Sequence, residues 1–474
     1  MSKERIKTLL LTVLVLSSIV FSGQIWFDKK LWPDGYDFFS VYEGTFIEKI
    51  GRLFYKEPAP LTINETGALD SVFSPKTIYL TYADGRLSFN TTQEEGKAIT
   101  SVFNNIIKTA LSSNTYVEIT ESEWQSQLSS RSIYADYSVP ISFRAFGQFL
   151  DLSNVSITGM TSFDQVVIVP DEFSVNTVPV LFRDRESKKQ IKILTTMDKS
   201  IVSEILSKHE MDGKLNLSYA FDMNLDTRIE GEGMEHQKVI FDSYILLPLD
   251  PIRMNVIENK PVDWQNNETL DNVLKVFEYN PHTVKRFTET NDSILFVDTD
   301  STLRIRKDGY LEYKASDSSK GLKIGNDREL TTAVVGSAQL IDNLLGCFPM
   351  NESTKLFINS PLNDDNAQST YTFHFDYLFN GTPIVSDGHA ATVEVSGGNI
   401  ISLKVYIKNY EEIEEGSFSN AQDAIDRLYL QYASEYSEVY IQEFYPGYRD
   451  NGGAIQLSWQ AVIADKDELI SIQA

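Results

Sequence analysis

The chain has 474 residues, 42% hydrophobic and 12% aromatic, which is enough apolar material for a sizeable core and too much for a disordered polar chain. A formal net charge of −25 would repel nucleic acid and anionic lipid headgroups, so neither is expected as a peripheral partner. The single cysteine, Cys347, excludes an internal disulfide and a cysteine-based zinc site, and cysteine avoidance fits a bacterial surface.

The first element is an apolar run from Leu9 to Trp26, preceded by Lys3, Arg5 and Lys7. It carries no charge and no proline, and as a helix it would span about 27 Å, enough for a bilayer core. Basic residues before it favour a cytoplasmic N-terminus, and Trp26 suits the far interface. A cleaved signal peptide is the rival reading, with Val20-Phe21-Ser22 as a weak cleavage site. The run is long for a signal core, and the favoured reading is an uncleaved anchor over residues 1–27. Ser18 and Ser22 stand at a small-xxx-small spacing that lets helices approach closely in lipid. Ser18, Ser22 and Trp26 are therefore the candidate membrane and partner-helix residues.

Residues 28–61 hold aromatics and Pro58-Ala59-Pro60, and read as a tether. Beyond it, helices and strands alternate irregularly. Thr92–Leu111 places Ile99, Phe103, Ile106, Ile107 and Ala110 on one face, with Thr92 and Glu95 as a capping box. Further helices are expected after Asp198, after Asn267, from Thr331 to Leu345 with Gly346 as the stop, and from Ser419 with Gln422 near its start. Asp84-Gly85, Asp308-Gly309 and Gly397-Gly398 each join two strand patterns and predict hairpins. Runs of strands punctuated by single helices define an α+β class with mainly antiparallel sheets. Breaks near Thr195 and within Ser316–Asp327 predict three extracytoplasmic α+β domains, over residues 62–195, 196–325 and 326–474.

Catalytic and metal signatures are weak. No two of His209, His236, His282, His374 and His389 stand at a metal-ligand spacing, and His374 reads as a strand residue. Gly-x-Ser-x-Gly, phosphate-loop and dinucleotide fingerprints are missing. Asp222-Met223-Asn224-Leu225-Asp226 begins like a calcium loop but puts Thr227 where glycine is needed and Gly233 where the bidentate glutamate belongs, so a solvated loop is the better reading. No catalytic, cofactor or metal residue is assigned, and no cofactor is expected.

Three segments carry a family likeness. They are Lys3–Leu16 running on to Trp26, then Tyr244–Ile252 followed by Leu270–Phe277 and the hairpin Thr302–Tyr313, and last Phe375-Asp376-Tyr377-Leu378-Phe379-Asn380-Gly381-Thr382-Pro383-Ile384-Val385 with the strands behind it. In this order the chain resembles the YycH family, membrane-anchored regulators of the YycF/YycG (WalR/WalK) two-component system of Gram-positive bacteria. Its end is also similar to YycI and to PepSY-type domains. The resemblance implies a non-enzymatic regulator of a cell-wall-sensing histidine kinase. It would contact the kinase, together with a YycI-like protein, through the transmembrane helix and the outer domains. The alternatives are an extracytoplasmic binding module for a peptide, glycan or protease, and a wall hydrolase using an Asp/Glu pair.

Overall fold

A computed structural model describes residues 71–473, apart from 114, 154, 171–175, 224, 226, 229–237, 265, 290–292, 326–328, 363–369, 433–437 and 464–467. Ser18, Ser22, Trp26 and the expected membrane run lie outside the described residues, as does the tether. Among the described residues no helix is long and apolar enough to cross a membrane.

The first sheet grows from alternation. Strands β1 (Thr77–Tyr82), β2 (Gly85–Asn90), β3 (Tyr116–Glu118), β4 (Ser132–Ser142), β5 (Ser162–Ile168), β6 (Val178–Asp184) and β7 (Lys189–Thr195) form an antiparallel sheet in the order β2-β1-β4-β5-β6-β7-β3. Side chains two apart share a face. Ile78, Leu80, Ile133, Val166, Val180 and Phe182 therefore fall on one side, buried under helix α1 (Glu94–Leu111) and its Phe103, Ile106 and Ile107. The opposite face carries Tyr79, Tyr134, Asp136, Gln165 and Arg183. It is partly covered by helix α2 (Glu121–Ser129), which buries Trp124 and Leu128 against Tyr134, Val167 and Leu181. Sequence reading missed α2, because only those two apolar residues mark its buried face. It also missed α3 (Phe143–Phe149), which is shorter than two full helical turns.

The expected hairpins form. Tyr82 faces Gly85 across the first turn, β-strands Ser301–Ile305 and Tyr310–Ala315 flank Asp308-Gly309, and Ala391–Ser396 pairs with Asn399–Tyr406. Gly309 has φ of +89° and its Cα packs against the Ile407 carbonyl, so a side chain there would be both strained and blocked.

Helix starts differ from expectation. Gln93, with no side-chain cap bond, precedes α1, and Thr92 instead donates its hydroxyl to Asn90 Oδ1 at 3.0 Å. Asn266 rather than Asn267 caps the helix Asn267–Val276, accepting from the Glu268 amide at 2.9 Å. The helix Ala421–Tyr432 begins with Asn420 Oδ1 accepting from the Asp423 amide at 2.8 Å, where Ser419 was expected to cap. In the last two cases an asparagine side chain one residue away from the expected cap reaches the free amide.

Residues 196–325 and 326–474 are not separate sheets. Fifteen strands form one branched sheet in which Tyr310–Ala315 pairs directly with Asn399–Tyr406. Strand Lys238–Phe241 lies parallel to Glu438–Asp450, which also pairs in parallel with Thr382–Ser386; the other pairings are antiparallel. The polar stretch Ser316–Asp327 is thus no sheet boundary: within it Leu322–Lys323 pairs with Asn399–Ile400. Helix Leu330–Leu345 packs on this sheet and ends at Gly346. The two sheets meet through Pro140–Ser142 and Leu362, where the Leu362 amide donates to Pro140 O at 2.8 Å and the Ser142 amide to Leu362 O at 3.0 Å. Around that seam, Gln148 on α3 donates to Glu329 Oε2 at 2.9 Å and accepts from the Thr331 hydroxyl at 2.5 Å.

Candidate functional site

The polar face of the first sheet does not end in solvent. It opens into a cleft of about 820 Å³ between that sheet, residues 214–217 and 242–253, and residues 380–383 and 442–446 of the large sheet. Its aromatic shelf is Tyr79 on β1 and Tyr134 on β4, directly paired across the strands with rings 5.9 Å apart.

Charge is concentrated at the base. Arg185 follows β6, and its side chain is only 13% exposed. It meets three carboxylates. Its Nη2 donates to both oxygens of Asp136 at 3.1 and 3.2 Å, its Nη1 donates to Glu443 Oε1 at 3.4 Å, and its Nε lies 3.7 Å from Asp164 Oδ2. The Arg185 amide donates to Asp164 Oδ1 at 3.1 Å. Asp136 and Asp164 belong to the first sheet and Glu443 to the second, so a single guanidinium ties the two together. A two-nitrogen fork is suited to such bridging. Burial raises the Asp164 carboxyl to about 7 against the opposing pull of Arg185, while the surrounding carboxylates raise the Arg185 pKa despite its burial.

A second arginine extends the network. Arg183 is 3% exposed, lies 4.1 Å from the Tyr244 ring centre and donates to Gln165 Oε1 at 2.9 Å. Gln165 in turn donates to the Tyr134 hydroxyl at 3.0 Å, and that hydroxyl donates to Asp136 Oδ2 at 3.1 Å. Asp242 accepts from the Tyr440 hydroxyl at 3.1 Å and from the Tyr244 amide at 2.9 Å. The result is a continuous hydrogen-bonded chain from Arg183 to Glu443. Most of its groups are paired, Arg183 Nε and Arg185 Nε being the exceptions, and a chain spanning both sheets suits fixing their relative placement.

The histidines are arranged otherwise than their spacing suggests. His374 and His389 stack with ring centres 4.1 Å apart. Asp376 Oδ2 lies 3.1 Å from His389 Nδ1 and raises that imidazole's pKa; burial lowers that of His374. His209 is buried, with Nδ1 2.8 Å from Asp212 Oδ2. His282 starts no cluster, and His236 lies outside the described residues. Among the described residues no group of three His, Cys, Asp or Glu side chains is placed to hold a metal ion. Asp222 lies within a one-turn helix, Ala220–Met223, while Asn224 and Asp226 lie outside the described residues. Cys347 is half-buried rather than fully enclosed, with its thiol 3.4 Å from Asn343 O.

The sequence singled out none of Asp136, Asp164, Arg183, Arg185 or Glu443. One signal was available: the stretch Phe182-Arg183-Asp184-Arg185 puts charges at the end of an otherwise apolar strand.

The fold and the cleft define an α+β protein of mainly antiparallel sheets, with a polar seam where two sheets meet. Residues 4–210 match the family described as YycH protein, N-terminal domain. The crystal structure of YycH from Bacillus subtilis shares the fold, with a TM-score of 0.57 over 84% of this chain and 95% of that one, at 11% sequence identity. No curated protein sequence matches the chain. Over residues 4–210 the chain is thus similar to the YycH family, and over most of its length it shares the fold of a YycH protein.

Proposed function

We propose that the chain is a membrane-anchored extracytoplasmic regulator of a cell-wall-sensing histidine kinase of the YycG/WalK type, acting by protein contacts and not by catalysis. The carrying observation is the YycH N-terminal domain match over residues 4–210, supported by the YycH fold over most of the remainder. In this reading the apolar run Leu9–Trp26 spans the membrane, with the N-terminus in the cytoplasm and the body outside. Ser18 and Ser22 allow close packing on kinase helices, and a YycI-like protein completes the complex. The outer body biases a two-state kinase through contacts that differ between its states.

Crosslinking of the full-length protein in native membranes tests this. Recovery of a histidine kinase and a YycI-like protein is expected, and weaker kinase recovery with Ser18→Leu and Ser22→Leu. Recovery of neither protein overturns the reading. The inter-sheet cleft favours a second reading, an extracytoplasmic binding module. A body lacking residues 1–30 would then keep full function, which an anchor-dependent regulator would not.

A further inference from the structure

We propose that the inter-sheet cleft takes an uncharged, extended peptide segment, which adds as a strand to the free edge of β2 at Ser88. The inference does not rest on the kinase reading.

The edge follows from the hairpin. Tyr82 and Gly85 close a two-residue turn, so Arg86, Ser88 and Asn90 direct their backbone N–H and C=O away from β1. At Arg86 this is filled: its amide donates to Leu215 O at 3.2 Å and its carbonyl accepts from the Leu215 amide at 2.7 Å. At Asn90 the carbonyl accepts from the Gln93 amide at 3.1 Å. Between them, Ser88 is exposed, lines the cleft and has no backbone partner on that side among the described residues. The segment at Leu215 has begun a new strand against β2, and the chain then turns off, since the Asp212 amide bonds back to His209 O. The position left open is that of an added strand, where main-chain pairing supplies affinity and alternate side chains enter pockets.

The cleft supplies the pocket. A strand on this edge directs every second side chain to the face holding Tyr79, which sits opposite Ser88 in the register. Tyr445, Pro383 and Pro446 form the facing wall. Two buried polar groups on cleft-lining residues have no partner: the hydroxyl of Tyr137, a residue only 2% exposed, and Asn90 Nδ2. Charge selects the occupant. The lining holds four cations, Lys76, Arg185, Lys214 and Arg253, and an equal number of carboxylates. In a molecule of net charge −25 this cleft is balanced, so it suits a neutral segment.

The probe is an acetylated, amidated decapeptide of alternating threonine and tyrosine, titrated into purified full-length protein. Calorimetry measures affinity, and amide hydrogen exchange reads Ser88. Saturable binding with slowed exchange at Ser88 is expected. Ser88→Pro removes the outward N–H on an edge strand, where proline is tolerated, and should weaken binding about fivefold. Ser88→Thr keeps the N–H and should bind as the parent does. The same peptide N-methylated at every residue has no N–H on either edge, cannot pair and should not bind. The proposal is overturned by no binding, by equal binding of the N-methylated probe, or by unchanged amide exchange at Ser88 on binding. Binding of chitotetraose in the cleft, with the peptide inert, would assign the site to glycans instead.

Discussion

Replacing Arg185 by methionine should cost the protein about 3 kcal/mol. The substitution keeps much of the apolar stem and removes the one guanidinium shared by Asp136, Asp164 and Glu443. Breaking a buried ion pair from one side typically costs about 3–5 kcal/mol, because the carboxylate left behind has neither water nor a partner. Here Asp164 is 5% exposed but keeps the residue-185 amide and can take up a proton near pH 7, while Asp136 and Glu443 are 35% and 32% exposed and recover some water. The lower end of the range therefore applies. Urea unfolding of the parent and variant at pH 7, followed by tryptophan fluorescence and circular dichroism, gives the difference. The cost should shrink at pH 5, where Asp164 is protonated. Adding Asp136→Asn to the variant should return part of the loss, since the two side chains share one interaction. A loss under about 1 kcal/mol, or strict additivity in the double variant, would refute the view that this guanidinium clamps the two sheets together.

Three further outcomes follow from other groups. Asp164 has a folded-state pKa of about 7, above the unfolded value, so the folded protein holds a proton that the unfolded chain has released. Stability from this group is greatest below about pH 4 and falls by at most about 4 kcal/mol as pH rises to 7; Asp164→Asn should flatten that slope in unfolding measured from pH 4 to 8. The His389 pKa is raised mainly by its hydrogen bond to Asp376, so its contribution to stability is present at low pH and lost as pH rises through its folded midpoint. In an NMR titration His389 should titrate above His374, and Asp376→Asn should bring the two together; an unmoved His389 would exclude Asp376 as the cause. Trp124→Ala removes the fully buried ring that holds α2 on the first sheet and should cost about 3–5 kcal/mol in the same urea assay, a small change showing instead that α2 is loosely attached.

What the sequence disclosed was local. The stripe Ile99–Phe103–Ile106–Ile107–Ala110 announces α1, and Asp84-Gly85 announces its hairpin, because period and turn chemistry act over a few residues. The misplaced caps show where local reading stops: Asn266 and Asn267 are chemically identical, and only the path of the incoming chain chooses between them. The cleft was out of reach for a different reason. Asp136, Arg185 and Glu443 are far apart in the chain, and no spacing rule links a strand end near 185 to a strand near 443. The same applies to the stacked His374 and His389, which a tight strand connection brings together. The boundary at 325 failed as a sheet boundary because a polar, glycine-containing stretch looks the same whether it links domains or skirts one continuous sheet.

The parallel pairing of Lys238–Phe241 with Glu438–Asp450 has a consequence for biosynthesis. A ribosome finishes the first of these strands long before it starts the second, and in the folded sheet no described strand made in between pairs with it. The first sheet, whose strands all lie between Thr77 and Thr195, can close during translation. The large one must wait for its last residues. A nascent chain halted before Glu438 would carry an open strand outward, making this half of the molecule the part that most needs protection until the chain is complete.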